Sequence, residues 1–128
     1  MGGSVAARRI LAVDDSRTMR DMVSVTLLGA GYEVLIAEDG EDAIRVLAAA
    51  NDEVDLVITD LNMPKLDGFG LIRRLRADPT YRLTPILMLT TESSAEKKAE
   101  GRAAGATGWI VKPFEPDKLL SVVRRVMP

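Results

Sequence analysis

Three aspartates stand at the ends of two apolar segments, and their side chains are the groups in this chain best suited to chemistry. Asp14 and Asp15 follow Ile10–Val13, and Asp60 follows Leu56–Thr59. Short, continuous apolar runs predict strands that are covered on both faces, as in parallel sheets. Parallel strands end at one shared edge, where open α/β sheets bind their ligands. We therefore expect the three carboxylates to meet at that edge.

Two further polar residues are predicted to reach the same edge. Thr90 follows the apolar run Ile86–Leu89, and Lys112 follows Gly108–Val111. Because neighbouring carboxylates repel one another, a compact acidic cluster favours a hard divalent cation, and Mg²⁺ fits best since it combines carboxylates with water and a substrate phosphate. An amine and a hydroxyl facing that ion would complete a pocket for a phosphoryl group, with Asp60 as the natural nucleophile.

The elements that must position these residues alternate between strand and helix patterns. The five predicted strands are Arg9–Val13, Glu33–Ala37, Leu56–Thr59, Ile86–Leu89 and Gly108–Val111. Residues suited to begin a helix follow each strand: Ser16, Asp39, Asp67, a capping box from Ser93 to Glu96, and Pro116. This alternation predicts an α/β fold, a five-stranded parallel sheet doubly wound as (βα)5 with helices on both faces.

The fourth helix pattern is the weakest of the five. Its candidate inner stripe is Ala95, Ala99 and Ala103, which would bury little apolar area. Gly101 costs roughly 1 kcal/mol of helix propensity relative to alanine. The pattern therefore predicts a weakly anchored, mobile helix.

Length and composition narrow the classes of function. The chain has 128 residues, the size of one ordinary domain, and we assign residues 8–128 to that domain and residues 1–7 to a flexible lead-in. A net charge of −2 without a basic stripe argues against nucleic-acid binding. No apolar run approaches the ~20 residues needed to span a bilayer, which predicts a cytoplasmic protein without membrane insertion. Cysteine and histidine are absent, so chemistry would rest on carboxylates, hydroxyls and lysine.

In the order and spacing of its motifs the chain resembles the receiver domains of two-component response regulators, most closely the single-domain chemotaxis regulators of CheY type. The motifs cover nearly the whole chain and are Val13-Asp14-Asp15-Ser16, Asp60-Leu61-Asn62-Met63-Pro64 followed by Asp67-Gly68, Leu89-Thr90, and Trp109 through Lys112-Pro113-Phe114. The resemblance implies a flavodoxin-like receiver fold and a phosphorylation switch. Such a protein promotes its own phosphotransfer and dephosphorylation without being a conventional enzyme.

The resemblance also implies the roles of the acidic residues. Asp60 would accept a phosphoryl group from a phosphohistidine on a sensor histidine kinase. Asp15, Asp60 and the backbone carbonyl of Asn62 would bind Mg²⁺ directly, with Mn²⁺ as a substitute. Asp14 would act mainly through coordinated water. Hydrolysis of the aspartyl phosphate would reset the switch.

The remaining motif residues would respond to the phosphoryl group. Lys112 would hold its oxygens, Thr90 would move inward to meet them, and a cis Lys112–Pro113 peptide bond would aim the lysine. Trp109 stands where receivers of this type carry a switching aromatic, often tyrosine. From the sequence alone a core or interface anchor is the favoured role. Our hypothesis is that the burial of Trp109 changes as Thr90 moves, which would couple the acidic pocket to the face made by the fourth helix, fifth strand and fifth helix.

Two polar residues bear on the lifetime of the phosphate. Asn62 and Glu92 lie two residues beyond Asp60 and Thr90, and they flank the approach of the attacking water. Both are uncrowded, which predicts a short-lived phosphate. Thr91 stands where receivers often have alanine or glycine, and its extra bulk would slow access by donors or by a phosphatase.

The leading functional hypothesis is chemotaxis, with a histidine kinase as donor and the flagellar motor switch protein as target. A phosphorelay or stress-signalling receiver with another receiver-binding target is the alternative, followed by a docking module that is not phosphorylated. A flavodoxin-type electron carrier is disfavoured because Asp14 and Asp15 would repel a phosphate in the first loop. A metal-dependent phosphohydrolase would carry a DxD motif after its first strand, whereas here the two aspartates are adjacent.

Overall fold

The computed structural model describes residues 7–51 and 53–127, and over this part of the chain strands and helices alternate five times. Their bounds are β1 Arg9–Val13, α1 Arg17–Gly29, β2 Glu33–Ala37, α2 Gly40–Ala49, β3 Leu56–Thr59, α3 Gly68–Arg76, β4 Ile86–Thr90, α4 Ala95–Ala104, β5 Gly108–Val111 and α5 Pro116–Val126. The predicted strands are confirmed, and β4 continues one residue further, to Thr90. Residues 1–6 of the predicted lead-in lie outside the described residues.

The five strands form one parallel sheet in the order β2-β1-β3-β4-β5. The chain moves from β1 outward to β2 and then crosses back, so that β1 and β3 are neighbours in the middle of the sheet. Val13 is paired with Thr59 in this register. The crossover therefore places the carboxyl ends of β1 and β3 side by side, and the predicted doubly wound, flavodoxin-like fold is confirmed.

Alternate residues of the strands supply two cores, one on each face of the sheet. Leu11 and Val57 face a core completed by α2 and α3, whereas Ile10 and Ile58 face a core completed by α1 and α5. All four side chains are buried. Each such burial contributes about 1.5–3 kcal/mol, which explains why the central strands read as unbroken apolar runs.

Side-chain caps begin the first three helices as predicted. Ser16, Asp39 and Asp67 accept hydrogen bonds from backbone N–H groups three residues later. The predicted cap of α4 at Ser93 is wrong: Ser94 is the N-cap, and its hydroxyl accepts from the amide of Lys97 at 3.1 Å. The hydroxyl of either serine can accept such a bond, so the helix can begin one residue later than the capping box predicts.

The predicted inner stripe of α4 is also wrong. Ala95, Ala99 and Ala103 are all exposed, and Gly101 is the buried residue of the helix. The reason is that the indole of Trp109 lies beneath the helix, where a Cβ on residue 101 would approach ring carbon Cζ3 to 2.7 Å. Glycine thus allows α4 to pack on β5. Among the described residues, no helix is long and apolar enough to cross a bilayer.

Candidate functional site

Three carboxylates converge where β1 and β3 end. Asp14, Asp15 and Asp60 each offer an oxygen, and these oxygens lie within 4.8 Å of one another. Asp14 and Asp60 are buried, whereas Asp15 is exposed. The amide of Asp60 donates to the carbonyl oxygen of Val13 at 2.9 Å, which ties the two strand ends together. A set of hard oxygen donors that is open to water on one side fits a divalent cation such as Mg²⁺.

Lys112 reaches this cluster from the end of β5. Its Nζ lies 2.6 Å from Oδ2 of Asp14 and 3.3 Å from Oδ2 of Asp60, and its side chain is only 11% exposed. Burial raises the pKa of the Asp14 carboxyl, and hydrogen bonds from Lys112 and from the amide of Ser16 oppose that rise. The ammonium therefore offsets part of the repulsion between the carboxylates. The Lys112–Pro113 peptide bond is cis.

The carboxylate of Asp60 is oriented by its own neighbours. Its Oδ1 accepts from the amide of Leu61 at 2.7 Å, which leaves Oδ2 facing Lys112. Gly68, the first residue of α3, packs on the same strand end, where a Cβ would lie 2.4 Å from the backbone oxygen of Asp60. The hydroxyl of Thr59 donates to that oxygen at 2.8 Å. The position of Asp60 is therefore constrained from three sides.

Glu92 joins the other predicted site residues. Its amide donates to Oγ1 of the buried Thr90 at 3.3 Å, and its carbonyl oxygen accepts from the indole Nε1 of Trp109 at 2.8 Å. Its carboxylate accepts from Nδ2 of Asn62 at 3.4 Å. One residue thus connects the threonine, the tryptophan and the loop after β3. Trp109 itself is half-buried.

Sequence reasoning missed two residues at the site. Arg20 of α1 donates from Nη1 to the backbone oxygen of Asp14 at 2.7 Å and so holds the turn that carries Asp14 and Asp15. Its only sequence signal is a position one turn beyond the Ser16 cap, on the helix that follows the acidic pair. The other is Gly101: its sequence signal is a loss of helix propensity, whereas in the structure it provides the space for Trp109.

Comparison with known proteins identifies the family. The Response regulator receiver domain family matches residues 10–124. Chemotaxis protein CheY1 of Helicobacter pylori strain J99 is 43% identical over 112 residues, which are 87% of this chain and 90% of that protein. The solved structure of chemotaxis protein CheY4 of Vibrio cholerae has a TM-score of 0.89 at 52% identity, covering 94% of this chain and 99% of that one. The chain belongs to the response regulator receiver family, with single-domain CheY chemotaxis proteins among its relatives.

A third comparison bears on the metal. The receiver domain of sensor histidine kinase PA1611 from Pseudomonas aeruginosa has a TM-score of 0.86 at 29% identity, covering 95% of this chain and 98% of that one. That structure has a magnesium ion coordinated in its active site cleft. The three carboxylates here form the kind of cluster that is typical of a magnesium site in receivers. Receivers are signalling domains and not conventional enzymes.

Proposed function

We propose that this protein is a phosphorylation-switched signalling protein in which Asp60 accepts a phosphoryl group from a phosphohistidine on a sensor histidine kinase. The observation that carries the proposal is the position of Asp60 Oδ2, which lies 3.3 Å from the Lys112 ammonium inside a cluster of three carboxylates. In the reaction Oδ2 forms a bond to phosphorus while the phosphorus–nitrogen bond of the donor breaks, and the leaving imidazole takes up a proton. Residues 8–128 would form the single receiver domain.

The carboxylates would hold the cation that this transfer needs. Asp15 and Asp60, with the backbone carbonyl of Asn62, would bind Mg²⁺ or Mn²⁺ directly, and Asp14 would act through water. When bound, the cation neutralises charge on the phosphoryl oxygens. The hydrogen bond from Leu61 to Oδ1 supports this assignment of the nucleophile, because it fixes the carboxylate and leaves Oδ2 available.

Lys112 and Thr90 would respond to the new phosphoryl group. Lys112 would exchange its two carboxylate partners for phosphoryl oxygens, which are more strongly negative. The hydroxyl of Thr90 accepts from the amide of Glu92, so its inward movement would break or shift that contact. Because Trp109 donates to the carbonyl of the same residue, a movement of Glu92 would reach the indole directly. This chain of contacts supports our hypothesis that the burial of Trp109 changes on phosphorylation.

The output would be a contact made by the face of α4, β5 and α5. Val111 on this face is exposed and lines a groove with Lys118 and Arg125 of α5. Lys98 and Arg102 of α4 line a neighbouring groove beside Trp109. Such a surface suits a partner segment that combines apolar and acidic side chains. We propose the flagellar motor switch protein as the target in a cytoplasmic chemotaxis pathway, with another receiver-binding protein as the alternative target and a phosphatase as a further partner.

The first test is intact mass after incubation with a small phosphodonor, with and without Mg²⁺. We expect the gain of one phosphoryl group in the presence of Mg²⁺ and no gain in Asp60→Asn, whose side chain keeps the shape of the carboxylate. If competent donors add nothing to the wild-type protein, an unphosphorylated docking module is the better assignment. A pull-down with phosphorylated and unphosphorylated protein then separates the motor target from other partners.

A further inference from the structure

The first turn of α2 lies directly against the loop that follows β3. The amide of Gly40 donates to the backbone oxygen of Leu66 at 3.1 Å. A Cβ on Gly40 would lie 2.4 Å from that oxygen and 2.7 Å from the Cβ of Leu66, closer than side-chain atoms pack. Gly40 is not among the residues with positive φ. Glycine is therefore required at this position because there is no room for a side chain, and not because of the backbone conformation.

The retreat of Leu66 from Gly40 is limited, because its side chain has a second neighbour. Gly70 of α3 lies there, and a Cβ on Gly70 would be 2.5 Å from Cδ1 of Leu66. Leu66 also packs against the core on this face of the sheet. A methyl group added to Gly40 would meet the backbone oxygen and the Cβ of Leu66, and not the flexible end of its side chain. The backbone at Leu66 would consequently have to move.

Both ends of the loop are fixed independently of α2. The amide of Gly68 donates to the backbone oxygen of Leu61 at 2.8 Å and closes the loop. Asp67 is anchored as the N-cap of α3 through the amide of Gly70 at 2.8 Å. A displacement at Leu66 must therefore be absorbed by residues 62–65, the stretch that begins with Asn62.

We infer that Gly40 is a positioning residue for the phosphorylation site: by packing without a side chain against Leu66 it sets the position of the Asn62 backbone carbonyl. The inference rests on the proposed function, in which that carbonyl binds the cation. Gly40 itself touches neither the cation nor the phosphoryl group. Its effect passes through the loop after β3, so the start of α2 becomes part of the site although it contributes no ligand.

A second contact joins the same two segments and is the weaker of the two. Lys65, which has a φ of 68°, places Nζ 3.8 Å from Oδ2 of Asp39. The lysine side chain is 60% exposed, and an ion pair of this kind contributes little stability. The close packing of Gly40 on Leu66 is therefore the constraint to test.

The test compares Gly40→Ala with Gly29→Ala in the whole chain. Gly29 is likewise a terminal helix residue, the last of α1 as Gly40 is the first of α2, but an added Cβ there meets nothing within 4 Å, so it controls for the change in helix propensity. Mg²⁺ affinity is measured by calorimetry, and hydrogen exchange is measured over residues 61–66, both at a temperature where each variant is folded. For Gly40→Ala we expect Mg²⁺ affinity to fall about tenfold, the low end for losing a group that orients a metal ligand. We also expect faster exchange in the loop, and neither change in Gly29→Ala.

A purely structural role gives a different result. It would lower the melting temperature of Gly40→Ala while leaving Mg²⁺ affinity and loop exchange at wild-type values in the folded protein, and this result would overturn the inference. If the wild-type protein binds no Mg²⁺, the proposed function fails. Hydrogen exchange over residues 61–66 requires no cation, so in that case it still tests whether Gly40 sets the position of this loop.

A measurement on the unmodified protein covers the case in which Gly40→Ala does not fold. The first amides of a helix have no partner within the helix and normally exchange fast. The amide of Gly40 should instead be protected, because it donates to Leu66. Its resonance should also shift on Mg²⁺ titration, together with that of Leu66. Fast exchange at Gly40 without a shift would refute the role assigned to it.

Discussion

Gly101 of α4 and Trp109 of β5 are complementary in shape: the Cβ that Gly101 lacks would lie 2.7 Å from Cζ3 and 3.1 Å from Cε3 of the indole. The indole also packs on Phe69, with ring centroids 6.3 Å apart, and donates to Glu92. Trp109 therefore contacts α4, the ring of Phe69 and the loop that carries Glu92. The helix that the sequence marks as weakest is the one that covers Trp109.

Gly101→Ala should displace the indole. Alanine favours the helix by about 1 kcal/mol, but overpacking at the ring costs about 1–3 kcal/mol, so the net stability should fall or stay level. We expect red-shifted emission and stronger acrylamide quenching of Trp109, the only tryptophan in the chain. Gly29→Ala serves as the control. An unchanged emission spectrum in Gly101→Ala would show that the indole position does not depend on this contact.

Asp14→Asn should stabilise the metal-free protein at neutral pH. Burial raises the pKa of Asp14 in the folded state, so ionising it opposes folding, and asparagine removes that cost while Lys112 keeps Asp60 as a partner. The gain should be on the order of 1 kcal/mol. The pKa of Asp14 is higher in the folded state than in the unfolded state. Below the unfolded pKa, Asp14 therefore does not lower the free energy of unfolding of the wild-type protein. As the pH rises from there through the folded pKa, that free energy falls.

Urea unfolding of both proteins over a range of pH measures this linkage in the presence of a chelator. The advantage of Asp14→Asn over wild type should be largest near pH 7 and should shrink as the pH falls toward the ordinary aspartate pKa of 3.8. Added Mg²⁺ should narrow or reverse the difference, since a bound cation favours the ionised form. An advantage that is the same at every pH would indicate a cause other than titration.

Much of the site could be predicted because its signals are local. Asp14, Asp60 and Lys112 each follow an apolar run, and parallel pairing brings such strand ends together whatever the details of packing. The roles of Arg20 and Gly40 could not be predicted in this way. Each role depends on a contact with another segment of the chain, and such a contact produces no pattern in the sequence. The start of α4 was misplaced for the same reason. Its register is consistent with Gly101 facing the indole, whereas in sequence the capping box with Glu96 favours Ser93 over Ser94.

Arg76→Lys should destabilise the fold away from the acidic site. The Arg76 guanidinium donates to the backbone oxygens of Tyr81, Thr84 and Gly105, at 3.0, 2.6 and 3.0 Å. It thereby joins the end of α3 to the loop that precedes β4 and to the loop that precedes β5. Burial lowers the pKa of Arg76, and lysine cannot reproduce its planar fork of donors.

The expected loss for Arg76→Lys is about 2–4 kcal/mol, because several carbonyls lose their donor together. Chemical denaturation measures it, and Arg73→Lys on the exposed face of the same helix is the matched control. Phosphorylation of the folded variant should be retained, since Arg76 lies at the opposite edge of the sheet from Asp60. Equal stability of the two variants would mean that the half-buried Arg76 guanidinium contributes no more than that of the exposed Arg73.

Glu92→Leu should lengthen the lifetime of the phosphate on Asp60. The Glu92 carboxylate accepts from Asn62, and the prediction rests on our proposal that these two polar side chains flank the path of the attacking water. Leucine removes that contact and adds apolar bulk, while the backbone groups that bind Thr90 and Trp109 remain. We expect dephosphorylation to slow several-fold, as followed by the loss of phosphoryl mass after the donor is removed. Glu96→Leu makes the same change at an exposed position on the first turn of α4 and should leave the rate unaltered. If both variants lose phosphate at the wild-type rate, Glu92 does not limit access of water to Asp60.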